Sequence, residues 1–533
     1  MEINMLRISN IKLRADFEPS KENELLAQKV QKLLRVKQDK ILSFKISKKS
    51  IDAREKHNIL LVYSVDVEIE NEKSFLGIKN VSSIEPIEYV TKKTKKTTRP
   101  VVVGSGPAGL FCALVLAESG LNPIVVEQGM DVDQRKIAVE KFWKYGVLET
   151  NSNVQFGEGG AGTFSDGKLT TGIKNTRIPK VLKEFVEAGA PKEIVYLSKP
   201  HIGTDILITV VRNIRKKIIQ LGGEVRFETK MQELMIENGE VRGVLLERHG
   251  KTEAMETDAV VLAIGHSARD TFYMLKDLGV DMIPKPFAVG VRIEHHQKDI
   301  DLQQFGSFAN NPLLGASDYK LNAHLLNGRG VFTFCMCPGG HVVAAASEKN
   351  SVVTNGMSYS ARSGENANSA LLVSVTPNDF NGDVLAAVEF QRKLERKAFE
   401  LGGRNYFAPV QLVGDFLENK GSKQLGDIIP TYTPGVTPTD LRECLDEFII
   451  ESLKDGLRVM DKKLAGFIKH DAVLSAVESR SSSPVTIKRN PLTFESNIKG
   501  LYPCGEGAGY AGGITSSAVD GIKCAEAIME IEV

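Results

Sequence analysis

Apolar residues fall into three regimes along the 533-residue chain. Up to about residue 95 they form short runs of strand or helix period. Residues 8–13 read as a strand, and residues 22–34 as an amphipathic helix with Leu25, Leu26, Val30, Leu33 and Leu34 on one stripe. Strands are expected again over 41–46 and 60–69, the latter with Leu61, Tyr63, Val65, Val67 and Ile69 on one face. The pattern predicts a small α+β unit over 1–95. From 96 to 283 strand and helix signals alternate. Residues 284–490 are turn-rich and strand-like, with one strongly helical stretch at 439–467, and 491–533 return to strand, glycine turn and helix. This order predicts an α/β nucleotide-binding domain, first part 96–283 and last part 491–533, interrupted by a mixed α+β substrate segment. The polar, basic stretch 91–100, ending in a proline, marks the first boundary.

Charge changes the picture locally. The whole chain nearly balances, 68 basic residues against 67 acidic, which removes any global argument for nucleic acid. The first hundred residues hold 21 basic against 14 acidic, about +7, so the remainder is acidic. That asymmetry fits either an RNA-binding appendage or a basic unit docked on the rest, and no aromatic-rich RNA-recognition signature is present. No apolar run reaches about 18 residues, so no membrane-spanning helix is expected. The N-terminus lacks the basic-then-apolar order of a signal peptide, and a cytoplasmic location is expected. The six cysteines are scattered. Cys335 and Cys337 are close, but one intervening residue is a poor zinc spacing, and no metal is expected. Their alternation predicts both thiols on one strand face, in a packing role ahead of a redox one.

The chemistry starts at Gly104, Gly106 and Gly109, a G-x-G-x-x-G run that follows the apolar strand 101–103 and opens a helix over 108–119. A second strand ends at Glu127. Gly104 allows the tight turn, Gly106 lets backbone approach a pyrophosphate, and Gly109 lets helix pack on strand. Pro107 and Ala108 begin the helix, whose free N–H groups face the phosphates. Glu127 suits the ribose hydroxyls, with Gln128 and Arg135 as further candidates at that end.

FAD and NAD share this unit, and three later segments favour FAD. The loop 156–169 carries Gly159, Gly160 and Ala161 in a glycine run suited to a flat or charged ligand, and Lys168 is a candidate for the flavin N1–C2 edge. The strand 258–264 runs into Gly265, followed by Ser267, which suits a helix cap. The corner at Gly505 and Glu506, with Gly513 and Ile514 opening a helix, offers an acid for a ribityl hydroxyl and a dipole for reduced flavin.

These segments, with Phe334–Gly340, Glu478–Val485 and Cys504–Ile514, make the chain resemble the uncharacterised FAD-dependent dehydrogenase family of the FAD/NAD(P)-binding-domain superfamily. The resemblance runs nearly full length. It implies a FAD-binding Rossmann-like fold, FAD, taken as non-covalent, and oxidoreductase activity, without a substrate. In folds of this type adenine meets backbone after the second crossover, here at Met231. No second fingerprint between strand and helix appears, so NADH or NADPH would bind only transiently, or the electrons come from another donor. Hydride would pass between a small-molecule substrate and flavin N5. An RNA-modifying flavoenzyme and a non-enzymatic, flavin-containing binding protein are the alternatives. Candidates for proton transfer or anion binding are His201, His266, Arg292, His341, Arg362 and Arg480, with Arg480 in its serine-rich loop favoured for an anionic substrate.

Overall fold

The structure, a computed structural model, describes residues 5–85, 88–380 and 383–530. Strands Met5–Arg14, Ile41–Asp52, Leu60–Ile69 and Val81–Ile84 form an antiparallel sheet in which Met5–Arg14 lies between the third and fourth strands. Helix Glu22–Leu34 covers one face through Leu26, Val30 and Leu34. The second strand runs six residues past its expected end, and the period did not flag the short fourth one. The other face carries Arg7, Lys12, Lys45 and Lys48, with no aromatic ring among its paired residues. It therefore offers bases nothing to stack on. This unit is tied to the rest of the chain. Phe305 and Leu314 join its apolar cluster. The Lys49 amide donates to the Tyr196 carbonyl (2.8 Å), and the Ser198 amide donates back to Lys49 (2.9 Å).

A five-stranded parallel sheet organises the next unit, in the order Leu501–Pro503, Val260–Leu262, Val101–Val103, Ile124–Val126, Glu224–Arg226. Its central strands are buried valine, isoleucine and leucine, as expected where helices cover both faces. Helices Pro107–Ser119 and Ile514–Ile528 pack against one another. Their contact is so close that a Cβ on Gly521 would fall 2.1 Å from the Ala108 carbonyl oxygen. The stretch expected to reach adenine is two strands, Glu224–Arg226 and Lys230–Glu237, the second opening a three-stranded antiparallel sheet.

The chain leaves this sheet after Val260–Leu262 and returns at Leu501–Pro503, which pairs beside it. Between them lies a seven-stranded sheet whose centre is Asn366–Val375, Phe287–His296 and Val473–Glu478. Helices Ala386–Leu401 and Glu447–Asp461 contribute to its core. The second helix starts at Glu447 instead of 439, because Asp440 caps a separate 3-10 turn at Leu441–Glu443. Helix Ala386–Leu401 was not expected.

That helix supplies the main polar weld. Glu395 is fully buried and accepts from two arginines. Arg269, at the start of helix Arg269–Asp277, donates at 2.7 and 2.9 Å, and Arg480, just beyond strand Val473–Glu478, donates at 3.0 and 3.1 Å. Burial works against the Glu395 charge, but the two guanidiniums outweigh it and hold the carboxyl far below its ordinary range. A depressed carboxyl contributes stability that is complete above the unfolded value near 4.5 and erodes as pH falls below it. Glu395→Gln leaves two buried cations without their shared counter-charge and is expected to cost about 3–5 kcal/mol. Denaturant unfolding of wild type and variant checks this, and an unchanged midpoint would refute the weld.

Candidate functional site

A cavity opens along the carboxyl ends of the parallel strands, lined by Val103, Val126, Ala263 and Cys504. The chain builds the sheet outward from Val101–Val103 on one side, then crosses to Val260–Leu262 on the other, so the cavity lies at the topological switch point. Gly104, Gly106, Pro107 and Ala108 form part of its wall. A Cβ on Gly104 would meet the Ala263 carbonyl oxygen at 2.3 Å, and its φ is +101°, so turn and close approach both demand glycine. Glu127, Gln128 and Met231 line the cavity too, as do Gly160, Ala161 and Lys168. Gly265, Glu506, Gly513 and Ile514 complete the expected set on the wall.

Four expected positions stand behind the wall. Gly109 packs on the turn, where a Cβ would fall 1.9 Å from the Gly104 carbonyl oxygen. Gly159 donates to the Ser105 carbonyl (2.9 Å). Gly505 donates to Asp520 (2.8 Å), whose carboxylate is forked by Arg489 at 2.6 and 2.9 Å. Arg135, expected at the cofactor, is fully buried and donates to the carbonyls of Asn153, Val154, Gly157, Glu158 and Gly160 at 2.6–3.2 Å. It shapes the glycine loop, and its full burial keeps the guanidinium away from a ligand.

Glu127 needs a similar revision. Its Oε1 accepts from the Gly129 (2.9 Å) and Gly157 (3.0 Å) amides, and its Oε2 from the amide (3.0 Å) and hydroxyl (2.9 Å) of Ser105. These four donors fill the capacity of a carboxylate. Glu127 thus fastens three backbone segments together, and only the Ser105 hydroxyl can rotate away to admit an outside donor.

Of the catalytic candidates, His266 and Arg480 reach the cavity. His266 Nδ1 lies 3.2 Å from Glu506 Oε1, and its buried Nε2 has no partner. With the Nδ1 proton on Glu506, Nε2 is an acceptor. Arg480 is held against Glu395, and Glu395, Ser267 and Ser347 take four of its five donors. Ser267 is likewise no helix cap; its hydroxyl donates to Gln155 (3.0 Å) on the cavity wall. Arg292 lies off the wall, fully buried and forked by Glu478 at 2.9 and 3.0 Å. Glu478 itself lines the cavity. His341 stands off the wall and stacks edge-on with Tyr359. His201 faces the Ser360 carbonyl (3.3 Å); burial and the Arg362 charge push its pKa down and keep the ring neutral at pH 7.

Sequence reasoning missed Asp166, Phe334, Cys335, Asn355 and Glu478, all on the wall. The inserted sheet brings most of them, and their partners lie far away in sequence. The expected shared face of Cys335 and Cys337 is broken by a register shift between Phe334 and Cys337, with Cys335 at φ +42°. Cys335 is turned out to the cavity, whereas Cys337 is buried and donates to the Cys335 carbonyl (3.2 Å). Cys504, Asp520 and Cys524 gather potential metal-ligand atoms within 4.8 Å, but Arg489 occupies both Asp520 oxygens and supplies the positive charge.

Fold and cavity define a dinucleotide-binding protein of the flavin and nicotinamide class. Residues 98–299 match the pyridine nucleotide-disulphide oxidoreductase family model, residues 286–481 the model for the C-terminal domain of FAD-dependent proteins, and residues 5–68 a domain of unknown function. An uncharacterised protein of Clostridium beijerinckii is 50% identical over 98% of both chains. The chain belongs to the FAD-dependent protein family that its sequence resembles. A digeranylgeranylglycerophospholipid reductase of Methanocella arvoryzae is 30% identical over 31% of this chain and 38% of its own. A solved geranylgeranyl bacteriochlorophyll reductase-like protein of Thermoplasma acidophilum shares 11% identity at a TM-score of 0.34, covering 82% of this chain and 78% of its own. Among the described residues, no helix is long and apolar enough to cross a membrane.

The cavity generates a thiol prediction. Cys335 is exposed and the other five cysteines are buried. In native protein a small maleimide is expected to label Cys335 first and Cys335→Ser to abolish that fast phase. Mass mapping of fast labelling to any other cysteine would contradict the bulge.

Proposed function

We propose that the cavity holds FAD and that the protein is a FAD-dependent oxidoreductase passing hydride between flavin N5 and a small-molecule substrate. The observation that carries this is the meeting of two bare backbones. A Cβ on Gly106 would come no nearer than 3.8 Å to any atom, that of the Gly160 Cα, so the missing side chain leaves open space at the start of helix Pro107–Ser119. Free amides of that helix start suit a pyrophosphate. The start of helix Ile514–Ile528, at Gly513 and Ile514, supplies a second positive dipole end on the same wall. The residues fit the cofactor, with the ribose contact passing through Ser105 as well as Glu127.

Bound FAD supplies the hydride-exchanging N5, which no side chain can offer. The protein's own residues position and protonate. Arg135 and Glu127 fix the loop beside the phosphates. Glu506 would accept from a ribityl hydroxyl, with His266 Nδ1 as its neighbour, and His266 Nε2 would take or return a proton at the wall. The Lys168 ammonium, which donates to the Met336 carbonyl, would offer a positive charge on the wall to a bound flavin. The electron donor is a reduced nicotinamide nucleotide that binds transiently.

Purified protein is expected to be yellow and to bleach with NADH or NADPH. Gly106→Val adds its side chain where the backbone tolerates one, so the variant is expected to fold, with wild-type circular dichroism, yet lose flavin absorbance. Colourless wild type that refuses added FAD would end this reading.

A further inference from the structure

A second cavity, of about 650 Å³, lies beside the first and is lined by Lys298, Asp301, Asn310, Arg362 and Glu365 among others. Its Asp301 is engaged by Gln297 and Ser317. Arg362 is the link between the two spaces. It lines the second cavity, and its Nη2 donates to Asp166 Oδ2 at 2.7 Å. Asp166 is 3% exposed and lines the crevice already described. One ion pair therefore forms the partition.

Neither partner is saturated. Arg362 Nε and Asp166 Oδ1 are buried without a hydrogen-bond partner. Asp166 has a second cation in reach, Lys168, with Nζ at 3.8 Å from Oδ2. Burial opposes the Asp166 charge, but Lys168 and Arg362 outweigh it, and the carboxyl stays below its ordinary range. With His201 neutral, the cluster of Arg362, Lys168 and Asp166 holds two positive charges and one negative. Within this cluster positive charge exceeds negative by one, while the second cavity's wall also carries Lys298, Asp301 and Glu365.

We propose that the second cavity admits a small carboxylate substrate and that Arg362 binds its carboxylate beside the flavin crevice, with Asp166 as the internal competitor. Arg362 already holds a carboxylate of its own chain through one of five N–H donors, so its fork is presented to that chemistry. Lys168 keeps Asp166 paired when Arg362 turns to the ligand, which avoids an uncompensated buried carboxylate. Arg362 is thus a substrate-binding residue, and Asp166 a positioning residue acting through it.

The inference rests on the flavin reading, and the test separates the two. FAD-loaded protein is titrated with benzoate, pyruvate and inorganic phosphate at low salt, by calorimetry and by the flavin difference spectrum. A carboxylate is expected to bind saturably. Arg362→Ala is expected to weaken it at least tenfold with FAD affinity unchanged, Arg362→Lys to weaken it less, and Asp166→Asn to tighten it severalfold. A merely structural Asp166 would not tighten the ligand. Yellow protein that binds neither carboxylate, or binds one equally well after Arg362→Ala, overturns the proposal. Binding of phosphate in place of both carboxylates overturns the assigned class. Protein that stays colourless refutes the flavin reading instead.

Discussion

The site depends on how one buried guanidinium and one buried carboxylate divide the backbone of a glycine loop between them. Arg135 takes five carbonyl oxygens between Asn153 and Gly160, and Glu127 takes the Gly157 amide along with those of Ser105 and Gly129. Carbonyls pulled one way and amides another need left-handed backbone, which Gly157, Gly159 and Gly160 supply at φ +116°, +83° and +63°. Burying Arg135 lowers its pKa to about 10, which still leaves it charged at neutral pH. Charge-assisted bonds to five carbonyls compensate for the lost water. A loop with few side chains is thereby made rigid without filling the space it borders.

The second dependence is between units. The parallel sheet places backbone at the cavity, and the inserted sheet brings side chains that could do chemistry: Cys335, Asn355 and Glu478. Their registration on the first unit falls to the chain of buried contacts Gln155, Ser267, Arg480, Glu395 and Arg269. A similar arrangement sits under the wall, where Arg292 neutralises Glu478 and lies so close to Gly356 that a Cβ there would be 2.1 Å from its Nη1. At Glu478 and Arg480 the charge that faces the cavity is met by a buried partner.

This explains which parts of the sequence were legible. Gly104, Gly106 and Gly109 act through their own backbone, so spacing alone carries their roles, and the helix at Pro107–Ser119 follows within a residue of expectation. The N-terminal helix stripe and the alternation of Leu60–Ile69 are local in the same sense. Arg480 and Arg292 were visible as arginines but not as half of an ion pair, since Glu395 is 85 residues from Arg480 and Glu478 is 186 from Arg292. Cys335 was misplaced because one bulge residue reverses which face a strand presents, and no periodicity reports a bulge.

The same reasoning bears on what kind of reaction the cavity can host. On the wall, Glu478 and Arg480 are neutralised by buried partners, and Glu127 is saturated by protein donors. Among the groups left uncommitted are His266 Nε2, the Cys335 thiol, Asp166 Oδ1 and, across the partition, Arg362 Nε. These are one proton acceptor, one thiol and two halves of an anion-reading pair. Within the flavin reading, a site so equipped handles a proton and orients a charged substrate, and it leaves the electron transfer to the cofactor. The division follows from the fold. Bare glycine backbone lies where a large planar cofactor must slide in, and uncommitted polar atoms stand on the inserted unit and on the loops that meet it.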